Sequence, residues 1–232
     1  MNDSSNDTRI NKVNTQMLKT MYESLKNNPS AMATATFYVK SNWNGGFGVT
    51  SSSKNFSLGG RTMERNAEYK MDYDFPIQFS GEGSGPTVCE VCMGSLAACL
   101  IQTIVVHATS RGILIDSINV DVEGDVNLRG FTGIDSSVRP GAQQFRVNLN
   151  INSNTASKEQ IDELYEIGKK FSPAFDTLTN GTSVVMVGSE WRYLDSKITN
   201  LNILKCPQIN GYILQTVPHI SQYVWILNIM GH

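Results

Sequence analysis

Charge is scarce in this chain. Lys, Arg, Asp and Glu make up 17% of its 232 residues, against about 25% in an ordinary soluble domain. The two signs nearly cancel, to a net −2, so nothing suggests a nucleic acid or another polyanion as partner. Cysteine is also sparse: Cys89, Cys92 and Cys99 cluster, and Cys206 stands apart. Four such residues are too few and too clustered for a disulfide scaffold, and a reducing, cytoplasmic location is expected. The first ten residues are polar, with neither the charged-then-apolar pattern of a secretory leader nor the Arg content of a transit peptide. No internal repeat is evident.

What is present is a long apolar run, V88-C-E-V-C-M-G-S-L-A-A-C-L-I-Q-T-I-V-V-H-A108. Spanning a bilayer takes about 20 apolar residues, but Glu90, Gly94, Ser95, Gln102 and His107 interrupt the run. It is expected to be a helix buried in a soluble protein, entered through G81-E-G-S-G-P86 and closed at S110-R-G112 by glycine. Ile10, Val13, Met17, Met21 and Leu25 at helical spacing predict a short amphipathic helix over 9–27. Strands are expected at 32–40, 47–57 and 66–78, the first two joined at N44-G-G46.

Ile118, Val120 and Val122 alternate with polar residues, as do Phe145, Val147, Leu149 and Ile151, and both segments read as half-buried strands. Ser157 and Gln160 form a capping box ahead of a second helix, whose inner face is Ile161, Leu164, Tyr165 and Gly168 and which Pro173 stops. Residues 182–187 predict a last strand. Segregated runs of strands and helices argue for an α+β protein with antiparallel sheet. After Ser196 the chain turns apolar and loses its acidic residues.

Cys99 is the leading candidate for chemistry. A free thiol is mostly protonated at neutral pH and becomes a nucleophile where its surroundings favour the thiolate; the alternative is a small core residue beside Ala97, Ala98 and Leu100. Glu90 would accept a proton or hold an Arg. Arg61, Arg65, Arg111, Arg129, Arg139 and Arg146 are scattered, and any of them could approach through the fold. Cys89 and Cys92 form a C-x-x-C, placed by the pattern one turn inside an apolar helix. A redox pair and a packing role both remain open for it, and no second pair at zinc-site spacing accompanies it. Cys92 and Cys99 share a helix face about 10 Å apart along the axis, beyond the roughly 7 Å between Cα atoms that a disulfide permits. His107, two turns past Cys99, reads as a core or surface residue.

The stretch G85-P-T-V-C-E-V-C-M-G-S-L-A-A-C99 resembles the helix-start motif of the OsmC/Ohr family. So do H107-A-T-S-R-G-I-L-I115, V122-E-G-D-V-N-L-R-G-F131, V138-R-P-G141, F171-S-P-A-F-D-T-L-T-N180 and the turn W43-N-G-G46, in the family's order over about 32–190. The resemblance implies antiparallel sheets wrapped around central helices, an intertwined homodimer with sites at its interface, and thiol-dependent reduction of organic hydroperoxides. It places Cys99 on the peroxidatic cysteine and Glu90 on the glutamate that, with an arginine, positions thiolate and substrate.

Two positions depart from the family pattern. Ser172 stands where the second, resolving cysteine would be. No Arg follows the Trp-x-Gly turn, which leaves Arg61 or Arg65 for that role. The expectation is a one-Cys enzyme using an external thiol as reductant, with no metal or other cofactor; the alternative is a non-catalytic protein that binds a small apolar ligand or senses oxidation. The organisation expected is a polar segment with a short helix at 1–30, an OsmC-like domain at 31–192, and an extension of unknown role at 193–232.

Overall fold

The computed structural model describes residues 9–27 and 33–186, together with the backbone of 204–205 and 212–213. The chain divides into two compact units, Met1–Thr182 and Ser183–His232. The first is a mixed α+β unit.

It begins with a two-residue ladder, β1 (Arg9–Ile10) on β2 (Val13–Asn14), turned at Asn11 and Lys12, both with positive φ. Helix α1 (Thr15–Asn27) therefore starts later than the apolar spacing from Ile10 predicts. The Asn14 side chain accepts the Met17 N–H at 2.8 Å and so caps the helix there. Asn11 ties this segment to the end of the apolar helix: its amide donates to Thr109 Oγ1 and Ile113 O, and its Oδ1 accepts the Ile115 N–H.

The expected strand at 32–40 divides into β3 (Ala35–Phe37) and β4 (Lys40–Gly45). That at 47–57 divides into β5 (Gly48–Ser53) and β6 (Phe56–Leu58). After β7 (Arg61–Met63), the strand expected at 66–78 is the shorter β8 (Tyr69–Tyr73). The breaks let each run serve two antiparallel sheets, ordered β4-β5-β8 and β3-β6-β7. Gly45 and Gly46, both at positive φ, make the β4–β5 turn as Asn-Gly-Gly predicts.

Helix α2 (Val88–Ser110) is the apolar run. By length and composition it could cross a membrane, but one stripe of it (Leu96, Leu100, Ile104 and Ala108) is buried in this fold. It packs on α4 (Lys158–Phe171), on β9 (Ser117–Asp125) and on α5 (Pro173–Asn180). Strand β9 pairs antiparallel with β10 (Gln144–Asn152) in unbroken register, Ser117 opposite Asn152 through Asp125 opposite Gln144. The turn-length helix α3 (Leu128–Phe131) lies in their connection. Alternate residues of β9 face inward, as the sequence pattern predicts.

The core joins Ile104, Ala108, Ile113, Ile151, Leu164 and Ile167, with Ile161 and Tyr165 packed against it. Each large aliphatic side chain buried there contributes about 1.5–3 kcal/mol. Gly168 lets α4 approach: a Cβ on it would meet Ile104 Cδ1 at 3.3 Å.

Residues 182–186 carry no strand pairing among the described residues, and Val184, Val185 and Met186 are exposed. A β-pattern becomes a strand only where a neighbouring backbone supplies hydrogen bonds. Val187 lies outside the described residues. So does most of the expected 193–232 extension, in which β11 (Leu204–Lys205) pairs antiparallel with β12 (Tyr212–Ile213).

Candidate functional site

The entry to α2 is built around Asp74. This carboxylate, almost fully buried, accepts four bonds: the Phe75 N–H on Oδ1, and the Glu82 N–H, Ser84 N–H and Ser84 hydroxyl on Oδ2. The Ser84 backbone N–H, ahead of the others, holds its pKa below the ordinary 3.8. The loop it gathers runs so close to β8 that two of its glycines cannot carry a side chain in place. A Cβ on Gly81 would lie 1.9 Å from Phe75 O, and one on Gly85 2.6 Å from Asp72 O. A cleft of about 460 Å³ opens between this loop and the β4–β5 turn, lined by Phe47, Asp72, Asp74, Glu82 and Ser84 among others, and not by Cys99.

From this loop the chain enters α2 through a capping box. Thr87 Oγ1 accepts the Glu90 N–H, and Glu90 Oε2 accepts the Thr87 N–H at 2.7 Å and its hydroxyl at 2.8 Å. The Thr87 N–H chiefly, then its hydroxyl, lowers the Glu90 pKa and keeps it ionised. Glu90 is thus engaged in capping the start of the helix. Nine residues along one helix place it roughly 13 Å from Cys99 along the axis, and among the described residues no hydrogen bond joins the two.

The capping box also corrects the expected place of the C-x-x-C in part. Because α2 begins at Val88, Cys89 is its second residue and lies at the helix start, whereas Cys92, its fifth, is one turn inside. Cys89 is exposed, Cys92 is half-buried, and both are free thiols.

Cys99 is half-buried and faces α5. The backbone N–H of Ala174 donates to its Sγ at 3.4 Å. Ser172, wholly buried, caps α5 by accepting the Phe175 N–H at 3.3 Å, and Pro173 is the first residue of that helix. The fold therefore brings together Cys99 and the Ser172 segment, seventy-five residues apart.

The arginines are placed elsewhere. Arg65 lies over the rings of Phe56 and Tyr69. Arg61 sits on the exposed strand β7. Arg111 pairs with Glu163, Arg129 with Asp135, and Arg146 with Glu123 and Asp125. His107 stacks on Phe171 with ring centres 5.0 Å apart and meets Arg111 through Nδ1 at 3.1 Å, a contact between α2 and α4. Among the described residues no group of three or more His, Cys, Asp or Glu is placed to hold a metal ion.

Sequence reasoning missed Asp74 and the Ala174 N–H. A signal existed for the second: Ser172-Pro173 is a cap followed by the residue favoured at the first helical position, so Pro173 starts a helix as well as ending one.

Residues 81–187 match the family model described as OsmC-like protein. This region, a little under half of the chain, is similar to the OsmC-like protein family. The match covers the loop gathered by Asp74, all of α2 with Cys99, and the Ser172 cap. Solved structures similar to this chain include an osmotic stress induced and detoxification response protein from Psychrobacter arcticus, at 12% identity and TM-score 0.47, covering 62% of this chain and 88% of that one. An OsmC-like protein from Mycoplasma pneumoniae has 18% identity and TM-score 0.47, over 62% and 86%. The organic hydroperoxide resistance protein OhrB of Bacillus subtilis has 20% identity and TM-score 0.41, over 62% and 92%. Comparison with curated proteins gives no match.

Proposed function

We propose that this protein reduces organic hydroperoxides with Cys99 as its only peroxide-reacting sulfur. The observation that carries this reading is the Ala174 N–H directed at Cys99 Sγ. A backbone donor there holds the sulfur in place at the entry to α5, where it can be met by a peroxide. The thiolate attacks the distal oxygen of ROOH, the O–O bond breaks, and the leaving alkoxide takes a proton as ROH. Cys99 is left as a sulfenic acid. With Ser172 in place of a second thiol, an external thiol condenses with the sulfenic acid and releases water. A second external thiol then frees Cys99 as a mixed disulfide is exchanged. The protein works as a homodimer, in which the second apolar face of α2 (Val91, Ala98, Ile101 and Val105) and the exposed sheets meet their counterparts.

The test is mass spectrometry of the reduced protein after brief treatment with cumene hydroperoxide. A sulfenic acid at Cys99, absent in Cys99→Ser, with turnover sustained by a small thiol, is expected. An unreacted Cys99 overturns the reading. Light scattering checks the dimer, and a monomer mass at micromolar concentration overturns that part.

One observation favours a second reading, a non-catalytic member that binds a small apolar ligand or registers oxidation without turnover. Glu90 is engaged with Thr87 and Arg65 with two aromatic rings, so neither carboxylate nor guanidinium is at Cys99 within the protomer. Stoichiometric oxidation of Cys99 with no sustained thiol-dependent turnover would select it.

A further inference from the structure

We propose that Cys89 and Cys92 form a second thiol site, a vicinal dithiol that closes reversibly to a disulfide by exchange with an external disulfide. Both sulfurs are free, one exposed and one half-buried, and they are three residues apart at the start of α2. Residues at this spacing lie on the same helix face with Cβ atoms about 5–6 Å apart. A disulfide needs roughly 3.5–4.5 Å, so closure requires a small adjustment of the first turn.

That turn is the part of α2 able to make it. The first N–H groups of a helix have no acceptor within the helix, so moving Cys89 breaks no intrahelical bond of its own amide. Just past Cys92, Gly94 lies in open space with nothing within 4 Å of a Cβ position, and glycine is a weak helix former. The Ser95 hydroxyl donates to Val91 O at 2.8 Å, the kind of side-chain competition that loosens and bends a helix locally. Below this point the helix is held by its core stripe from Leu96 onward. The pair lies on the same side of α2 as that stripe, beyond where the core begins, and away from the face Val91, Ala98, Ile101 and Val105.

Exposure sets the order of events. Cys89, as thiolate, attacks an external disulfide RSSR and forms a mixed disulfide, releasing RS⁻. Cys92, as thiolate, then attacks the Cys89 sulfur, forms the intrachain bond and releases the second RS⁻. The protein dithiol loses two electrons and two protons, and the external disulfide gains both as two thiols. Cys99 takes no part, being too far along the helix from Cys92 for a bond.

The experiment uses no hydroperoxide, so it is independent of the proposed peroxide chemistry. The reduced full chain is equilibrated with glutathione disulfide and glutathione, quenched in acid, and cleaved after Glu90 by a Glu-specific protease and after Met93 by cyanogen bromide. These cuts put Cys89, Cys92 and Cys99 on separate fragments. The expected result is a Cys89 fragment joined to the Cys92 fragment, released by reduction, with Cys99 in neither. In Cys92→Ser, Cys89 is expected to stop at the glutathione adduct. Separate glutathione adducts on Cys89 and Cys92 in the unsubstituted chain, or a link from either to Cys99, would overturn the proposal.

Discussion

The Ala174 N–H reaches Cys99 Sγ across 3.4 Å, which sets residue 172 at the turn facing the thiol. Ser172→Cys, two residues from the amide that meets the sulfur, is therefore expected to form a disulfide with Cys99 when the protein is oxidised. Non-reducing peptide mapping after mild peroxide treatment reads the bond. Persistence of both thiols under conditions that oxidise Cys99 would show that the two segments do not meet in solution. The same substitution weakens the cap on α5, because a thiol is a poorer acceptor than a hydroxyl.

Asp74 predicts an acid limb of stability. Its folded pKa lies below the ordinary 3.8, the Ser84 N–H being the largest cause. The stabilisation is thus present above about pH 4 and is lost as pH falls through the folded value. Urea midpoints measured from pH 6 down to pH 3 should fall less steeply in Asp74→Asn than in the unsubstituted protein. Parallel curves would remove Asp74 from the account.

His107 predicts a second, milder limb. Burial first, then the charge of Arg111, lowers its pKa from the ordinary 6.5. The neutral ring stacked on Phe171 is favoured in the folded state, so its contribution is present above about pH 6.5 and is lost as pH drops through the lower folded value. Arg111 is itself paired with Glu163. His107→Gln should remove the part of the slope that sets in below about pH 6.5 while leaving the Asp74 limb intact, measured by the same urea series.

Leu164 is wholly buried where α4 meets α2. Leu164→Ala is expected to cost about 2–5 kcal/mol of folding stability, read as a lower denaturation midpoint with an unchanged slope. A loss below about 0.5 kcal/mol would mean the α2–α4 contact is not the centre of the core.

Much of the framework was legible along the chain. Alternation fixed the inward face of β9, and Asn-Gly-Gly marked the β4–β5 turn. Ser157 and Gln160 marked the start of α4. These are short-range rules: each depends on residues within a turn or on a period of two. The divided strands β3/β4 and β5/β6 were not legible, because a continuous β-pattern does not say where the chain leaves one sheet for another. The segment 182–186 shows the converse, since its β-pattern lacks a paired neighbour among the described residues. At the site, the sequence placed Cys99 and, through family resemblance, marked position 172 and Glu90; that Glu90 also caps α2 through Thr87 is what the fold adds.

The sequence by itself determined the apolar helix, its capping residues and the thiols on it, because helical period and capping chemistry are local. Only the tertiary structure decided which donor meets which sulfur. Cys99 touches the start of α5 because α4 and α5 fold back on the Leu96–Ala108 stripe, and burial of that stripe is set by all the packed elements at once. It decided, too, that Asp74, one acidic residue among several in the sequence, would gather the entry loop. Buried in the fold, an ionised carboxylate persists only where donors converge on it, and those donors come from residues up to ten positions away.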